Sequence, residues 1–366
     1  MSMGRVLAGL WLLSTLGGCG ADSRSAGGHG ATETTGTANA QPAAETAHDP
    51  IVAPTPEVEP EVAPEVAPEV APFVPPTPRD PSQSTSIGAP NNGSLRGAFA
   101  LPDHGLGFRH NPRRPEHAVF ATAETLNALT RAAALVAHDL PGGEVTINDL
   151  GYEHGGPIEH HGSHQAGRDV DVLFYLLDTA GQPMPGVGAP LDPEGRGTDF
   201  ADLSDPADDV QIELDRPRTW HYVAALLEDP DAHLQRIFLA EHLRTMLLEQ
   251  GRREGARPET LARFAAETCQ PSYPHDDHFH FRFFCSAEDI PRGCRDSRPL
   301  YDWRRDELDE ADVRPRLSSG PGRRAEVTTA SQAEQRAGPL APEVHAFLER
   351  RRAWMTQPHP GREHCR

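Results

Sequence analysis

Two short histidine-rich runs hold the residue types that hydrolytic chemistry needs. The first is His160-His161-Gly162-Ser163-His164-Gln165-Ala166-Gly167-Arg168-Asp169-Val170-Asp171. The second is His275-Asp276-Asp277-His278-Phe279-His280. With His154 just upstream, they account for seven of the 19 histidines. Read as a strand, the second run alternates its side chains. His278, His280 and Arg282 then share one face, and Phe279, Phe281 and Phe283 share the other, which is a core face. Two imidazoles at i and i+2 lie roughly 6.6 Å apart along a strand, so both can reach one metal ion or its water. In the first run a loop containing Gly167 separates His164 from Asp171. Asp171 falls in the next strand, with Val170 and Val172 turned to the core, and Asp169 shares its face as an acceptor for a ligand. Imidazole, carboxylate and imidazole form a catalytic zinc donor set that leaves a fourth position for water. Water so activated is a nucleophile, and a nearby His or Glu takes its proton. Arg282 is placed either to bind a substrate carboxylate or to sit as a solvated edge residue.

The elements that must position these runs can be read from periodicity. Thr122–Leu140 is predicted as a helix, with Leu126, Leu129, Ala133 and Val136 on one stripe and Pro141-Gly142-Gly143 as its stop. Residues 144–150 and 168–176 read as strands. Asp215 reads as the cap of a helix through Leu227, with Pro217 in its first turn. Leu234–Ala240 reads as a strand, Glu241–Gln250 as a helix closed by Gly251, and Pro258–Glu267 as a further helix. His278–Cys285 is the strand of aromatics and histidines, and residues 342–355 read as a late helix. Helices and strands mix without a regular βαβ alternation. That favours an α+β fold: a small mixed or antiparallel sheet with flanking helices.

Composition narrows the rest. The 366 residues include 34 basic and 54 acidic side chains, a net charge of −20, and all the basic ones are Arg. This excludes nucleic acid as a partner, which needs a basic footprint. The absence of lysine from the sequence also excludes a Ser-x-x-Lys acylation site. Gly (33) and Pro (36) are abundant, so part of the chain is expected to be linker.

The N-terminus reads as an address. Arg5 precedes an apolar run from Val6 to Leu16 that ends in Leu16-Gly17-Gly18-Cys19. The run has signal-peptide length and is too short to span a bilayer. Small residues before a cysteine resemble a bacterial lipobox, which implies a signal peptide over 1–18 and lipidation of Cys19. The mature chain would be lipid-anchored rather than membrane-spanning. It would sit in the periplasm, with the outer membrane slightly favoured because Gly20 offers no retention acid. Residues 19–94 read as a Pro/Glu-rich disordered tether, with Glu-Val-Ala-Pro three times from Glu61 to Pro72. At about 3.1 Å per residue, its most Pro-rich part (51–80) could reach roughly 90 Å. Residues 95–301 are the catalytic domain and 302–366 an extension. Four cysteines remain in an oxidising compartment, with three possible connectivities. Cys285–Cys294 is favoured by proximity, and Cys269–Cys365 follows by elimination. A structural zinc site of all four is disfavoured because no paired knuckles are present.

The pattern His161-x-Ser163-His164-Gln165-x-Gly167-x-Asp169-Val170-Asp171, with His275-x2-His278-x-His280 downstream, resembles the penicillin-insensitive murein endopeptidases. These belong to the zinc peptidases that join lysostaphin-type and D-Ala-D-Ala-type enzymes. The stretch from Trp220 through Leu239 is similar to their middle region. The resemblance spans roughly 95–295 and implies an exported zinc metallopeptidase that cuts peptidoglycan cross-link peptides. It assigns His164, Asp171 and His280 as zinc ligands. His278 becomes the catalytic proton carrier, with His275 in support. His161 aligns with a histidine that joins an additional metal, or acts as a donor behind the ligands. The family's other auxiliary metal ligands find no match here. A D,D-carboxypeptidase of the same group, or a non-catalytic zinc-containing wall-binding lipoprotein, are the rival readings.

Overall fold

The computed structural model describes residues 72–114, 117–200, 203–271, 274–319, 322–323, 335, 338–356 and 365. The signal segment, Cys19 and the Glu-Val-Ala-Pro repeats up to Ala71 lie outside the described residues. In chain order the first elements are β1 (Thr85–Ala89), β2 (Asn92–Arg96), β3 (Phe99–Ala100), β4 (His104–Gly105), β5 (Phe108–His110) and β6 (Phe120–Ala121). Then come α1 (Ala123–Asp139), β7 (Val145–Ile147), β8 (Asp169–Leu173), β9 (Leu176–Leu177), β10 (Pro183–Met184), β11 (Arg196–Thr198) and β12 (Gln211–Leu214). The second half holds α2 (Arg216–Glu228), β13 (Leu234–Phe238), α3 (Glu241–Arg253), α4 (Pro258–Glu267), β14 (Thr268–Cys269) and β15 (His278–Phe283). The last are α5 (Asp289–Arg292), α6 (Asp302–Glu310) and α7 (Pro342–Thr356). Among the described residues no helix is long and apolar enough to cross a membrane.

The site rests on a mixed sheet ordered β14-β13-β15-β8-β7-β5-β4, in which most pairings are antiparallel. The fold is α+β, as the unpatterned alternation of elements implies. Helix α1 begins at Thr122, whose hydroxyl accepts from the Thr125 amide. Its stripe of Leu126, Leu129, Ala133 and Val136 is wholly buried. That stripe shares one apolar core with Val170 and Val172 of β8, Phe279, Phe281 and Phe283 of β15, and α2 and α3. Asp215 caps α2 through the Arg218 amide.

Three expectations need correction. A tether running to residue 94 is too long, because the described chain is attached well before that. The Asn127 side chain on α1 binds both the amide and the carbonyl of Arg79. Strands β1 and β2 then form a hairpin whose Ser86 amide donates to the buried Asp289 carboxylate at 2.7 Å. The folded chain therefore begins ahead of residue 95. Residue 302 is not a boundary in packing either. On α6, Leu308 is buried with Cys285, Ile290 and Cys294, and Arg304 donates to the Cys285 carbonyl. Finally, Gly251 does not close α3. It lies within the helix, where a Cβ would stand 2.4 Å from the Trp220 ring, and the chain turns at Gly255 with φ 71°. Small size for close packing, not left-handed freedom, is what Gly251 supplies.

Both expected disulfides are present, Cys269–Cys365 and Cys285–Cys294, so no four-cysteine metal site forms.

Candidate metal centre

Strand pairing builds the site. β15 runs antiparallel to β8 with His280 opposite Asp171 and Arg282 opposite Asp169. Directly opposed residues on one face bring their side chains together. Phe279 and Phe281, opposite Val172 and Val170, occupy the other face and anchor the pair in the core. Loop residues complete the set. His164 has φ 66° and His275 has φ 54°, left-handed conformations that residues with a Cβ adopt at a cost and that cluster at functional sites.

Each imidazole is oriented by a second partner. Nδ1 of His164 donates to the Leu150 carbonyl at 2.8 Å, so Nε2 carries the lone pair. That Nε2 faces Asp171 Oδ1 at 3.3 Å. Nε2 of His280 donates to Asp169 Oδ2 at 3.1 Å, leaving Nδ1 to face the same Asp171 oxygen at 3.3 Å. Asp169 is in turn held by a fork from Arg282, at 2.9 and 2.8 Å. Arg282 is therefore committed within the site, its guanidinium also lying over the Phe238 ring, and it is neither a free substrate clamp nor a solvated edge residue. Nδ1 of His278 donates to Asp277 Oδ1 at 2.7 Å, and its Nε2 stands 3.6 Å from Asp171 Oδ1. Nε2 of His161 lies 3.2 Å from Asp149 Oδ2, and its Nδ1 lies 3.5 Å from Asp171 Oδ2. The His275 ring sits 4.8 Å from that of His278 and 5.5 Å from that of His280.

The electrostatics follow from burial and neighbours. Burial alone would raise Asp171, but His164, His278 and His161 outweigh it and hold its carboxyl well below the usual range. The same opposition, with Arg282 as the main counter-charge, keeps Asp169 ionised. Burial, only partly offset by Asp169, pushes His280 down to about 4, so the ring is neutral, as a ligand must be. Burial lowers His278, yet Asp277 and Asp171 together drive it well above an ordinary histidine.

The donor set fits a metal ion. His164 Nε2 and Asp171 Oδ1 are buried and make no hydrogen bond. The pair, 3.3 Å apart, needs a positive charge between the two atoms: burial disfavours a proton on His164 and Asp171 favours one, and a metal cation would fill the same place. His161, His164 and Asp171 each offer an atom within 4.8 Å of the others, a spacing that could hold one ion. His280 brings Nδ1 to the same carboxylate oxygen.

Sequence reasoning misses several members. Asp149 receives His161 and Arg114, the latter at 2.6 Å. Burial would raise it, but Arg114 and His161 hold it at about 2. Read as a strand through Leu150, residues 144–150 put Asp149 on the side of Ile147, a core position. β7 ends at Ile147, and the alternation stops there. Asp276 and Asp277 stand inside the second histidine run, where spacing alone gives them no role.

A mixed sheet in an α+β fold that turns several imidazoles and an ionised carboxylate on one point is the architecture of a metal-binding protein. The sequence model of the penicillin-insensitive murein endopeptidases matches residues 86–306, and the chain belongs to that family. The chain is 24% identical over 242 residues to the penicillin-insensitive murein endopeptidase of Haemophilus influenzae, covering 62% of this chain and 76% of that relative. It is 27% identical over 221 residues to that of Klebsiella pneumoniae strain 342, covering 58% and 70%. It is also 27% identical over 224 residues to that of Escherichia coli K12 / DH10B, covering 60% and 72%.

Proposed function

We propose that this protein is a zinc-dependent peptidoglycan endopeptidase that hydrolyses cross-link peptide bonds, with His164, Asp171 and His280 as the zinc ligands. The observation that carries the reading is the convergence of His164 Nε2, His280 Nδ1 and Asp171 Oδ1, each ring's other nitrogen being occupied by a hydrogen bond. Two imidazoles and a carboxylate suit zinc with an open position. A zinc ion so held supplies a Lewis acid for the scissile carbonyl and lowers the pKa of water. The chain's own residues do the rest. His278 carries the proton at Nε2, because Asp277 fixes its Nδ1 side. That Nε2 stands 3.6 Å from Asp171 Oδ1, beside the proposed ligands, within reach of a proton on bound water and of the leaving amine. His275 packs beside it in support. Asp169 and Asp149 orient His280 and His161.

Purified cross-linked muropeptide dimers incubated with the protein should release monomers, identified by mass. A chelator should abolish release and zinc restore it, while penicillin should have no effect. His280→Ala should lose metal and rate together. A variant that keeps full zinc would overturn the ligand assignment, and a wild-type protein that binds peptidoglycan without cutting it would leave a binding role instead.

The N-terminal reading belongs to the same proposal. Cys19, preceded by Leu16-Gly17-Gly18, carries the lipid, and the Pro/Glu-rich stretch holds the catalytic head away from a periplasmic membrane surface, the outer membrane favoured.

A further inference from the structure

We propose that Arg351, on a helix beyond the family-matched span, is a positioning residue for His278, acting through Asp276. The matched span ends at residue 306, whereas α7 begins at Pro342. Yet the Arg351 side chain enters the site's own loop. Its Nε donates to Asp276 Oδ2 at 2.9 Å and its Nη2 to Asp276 Oδ1 at 2.6 Å. Both side chains are buried, at 1% and 0% exposure.

The loop needs outside partners. His275, the residue before Asp276, is left-handed, so the turn does not hold itself by local preference. Groups from outside the loop clamp it. The Ala240 amide donates to the His275 carbonyl at 3.1 Å, and the Leu191 amide to the Asp276 carbonyl at 2.8 Å. The Arg351 fork adds to these and takes both oxygens of the Asp276 side chain. The next residue, Asp277, holds His278 Nδ1. A tilt of Asp276 thus moves Asp277 and swings the imidazole that faces Asp171. A planar fork on a carboxylate fixes orientation as well as distance, which a lysine cannot do. α7 is itself docked: Phe347 and Val344 pack with Phe200 and Leu203, and the Ala341 amide donates to the Leu203 carbonyl at 2.8 Å. A buried ion pair adds little net stability against an apolar replacement, so its worth here lies in geometry.

The inference rests on His278 as proton carrier. In metal-loaded Arg351→Lys, kcat on cross-linked muropeptides should fall about 10–100-fold, the scale of a misplaced catalytic group. KM should stay within about twofold and zinc content should be unchanged. Visible absorption of the cobalt-substituted form should match that of the wild type, showing an intact ligand set. Added guanidinium should restore part of the rate of Arg351→Ala, while sodium at equal ionic strength should not. In a His278→Ala background Arg351→Lys should cost nothing further, because the two act in series. Wild-type kcat in folded, metal-loaded Arg351→Lys, or additive losses in the double variant, would overturn the inference. If Arg351→Ala does not fold, Arg351→Lys decides alone. A wild-type protein without activity, or a fully active His278→Ala, sinks the functional reading instead.

Discussion

At the scale of single residues, Asp171 is the hub. It meets His161, His164, His278 and His280 within 3.6 Å. The four rings differ in what stands behind them and in how far they are buried. His164 and His280 lose their second nitrogen to Leu150 and Asp169 and are left with one inward lone pair each. His278 is also backed by a carboxylate, Asp277, but its inward nitrogen stands farther from Asp171, at 3.6 Å, and the side chain is more exposed than either, at 15%. Under the proposed function, His278→Ala should keep most of the bound zinc, by elemental analysis, while losing about 10²–10⁴-fold in turnover, the usual worth of a positioned proton carrier. Loss of zinc in that variant would move His278 into the ligand set.

At the scale of elements, legibility follows periodicity. The alternation His278-Phe279-His280-Phe281-Arg282-Phe283 displays both faces of β15 in the sequence itself, and the stripe of α1 is equally plain. The hairpin β1–β2 is not legible. Thr85-Ser86-Ile87-Gly88-Ala89 and Asn92-Gly93-Ser94-Leu95-Arg96 carry few apolar residues, and their stability comes from contacts with Asp289 and Ala166, distant in sequence. Asp149 is hidden because β7 ends two residues ahead of it. Arg351 is hidden because its partner lies 75 residues away, and no local pattern links the two. Gly251 misleads because a glycine after a helical stripe is more often a stop than a packing site. The structure reverses that: Trp220 fills the space a side chain would need. Gly251→Ala should destabilise the domain by about 1–3 kcal/mol, the cost of overpacking, and lower the urea midpoint. An unchanged or raised midpoint would mean that α2 and α3 can part at no cost.

At the scale of the whole molecule, the chain divides between a folded head and an N-terminal stretch whose composition reads as a spacer. The head's boundaries are wider than composition suggests, because the hairpin and α7 both contribute to it. Under the proposed anchoring, Cys19→Ala should shift the protein from the membrane fraction to a soluble or unprocessed form, seen by fractionation and mass. Deleting Glu61–Pro72 should leave zinc content and the thermal midpoint unchanged. A markedly lowered midpoint would show that this stretch packs on the head.

The clamp on Asp276 also exposes the site to damage far from it. Every donor atom that converges on Asp171 lies at or before His280, whereas Arg351 lies 75 residues beyond Asp276. A single backbone cut between α6 and α7 would leave those donors in place while severing the peptide link to the guanidinium that holds the neighbouring turn. The Cys269–Cys365 bond joins the tail back to the body of the fold, so the severed piece would stay attached under oxidising conditions and be free to leave under reducing ones.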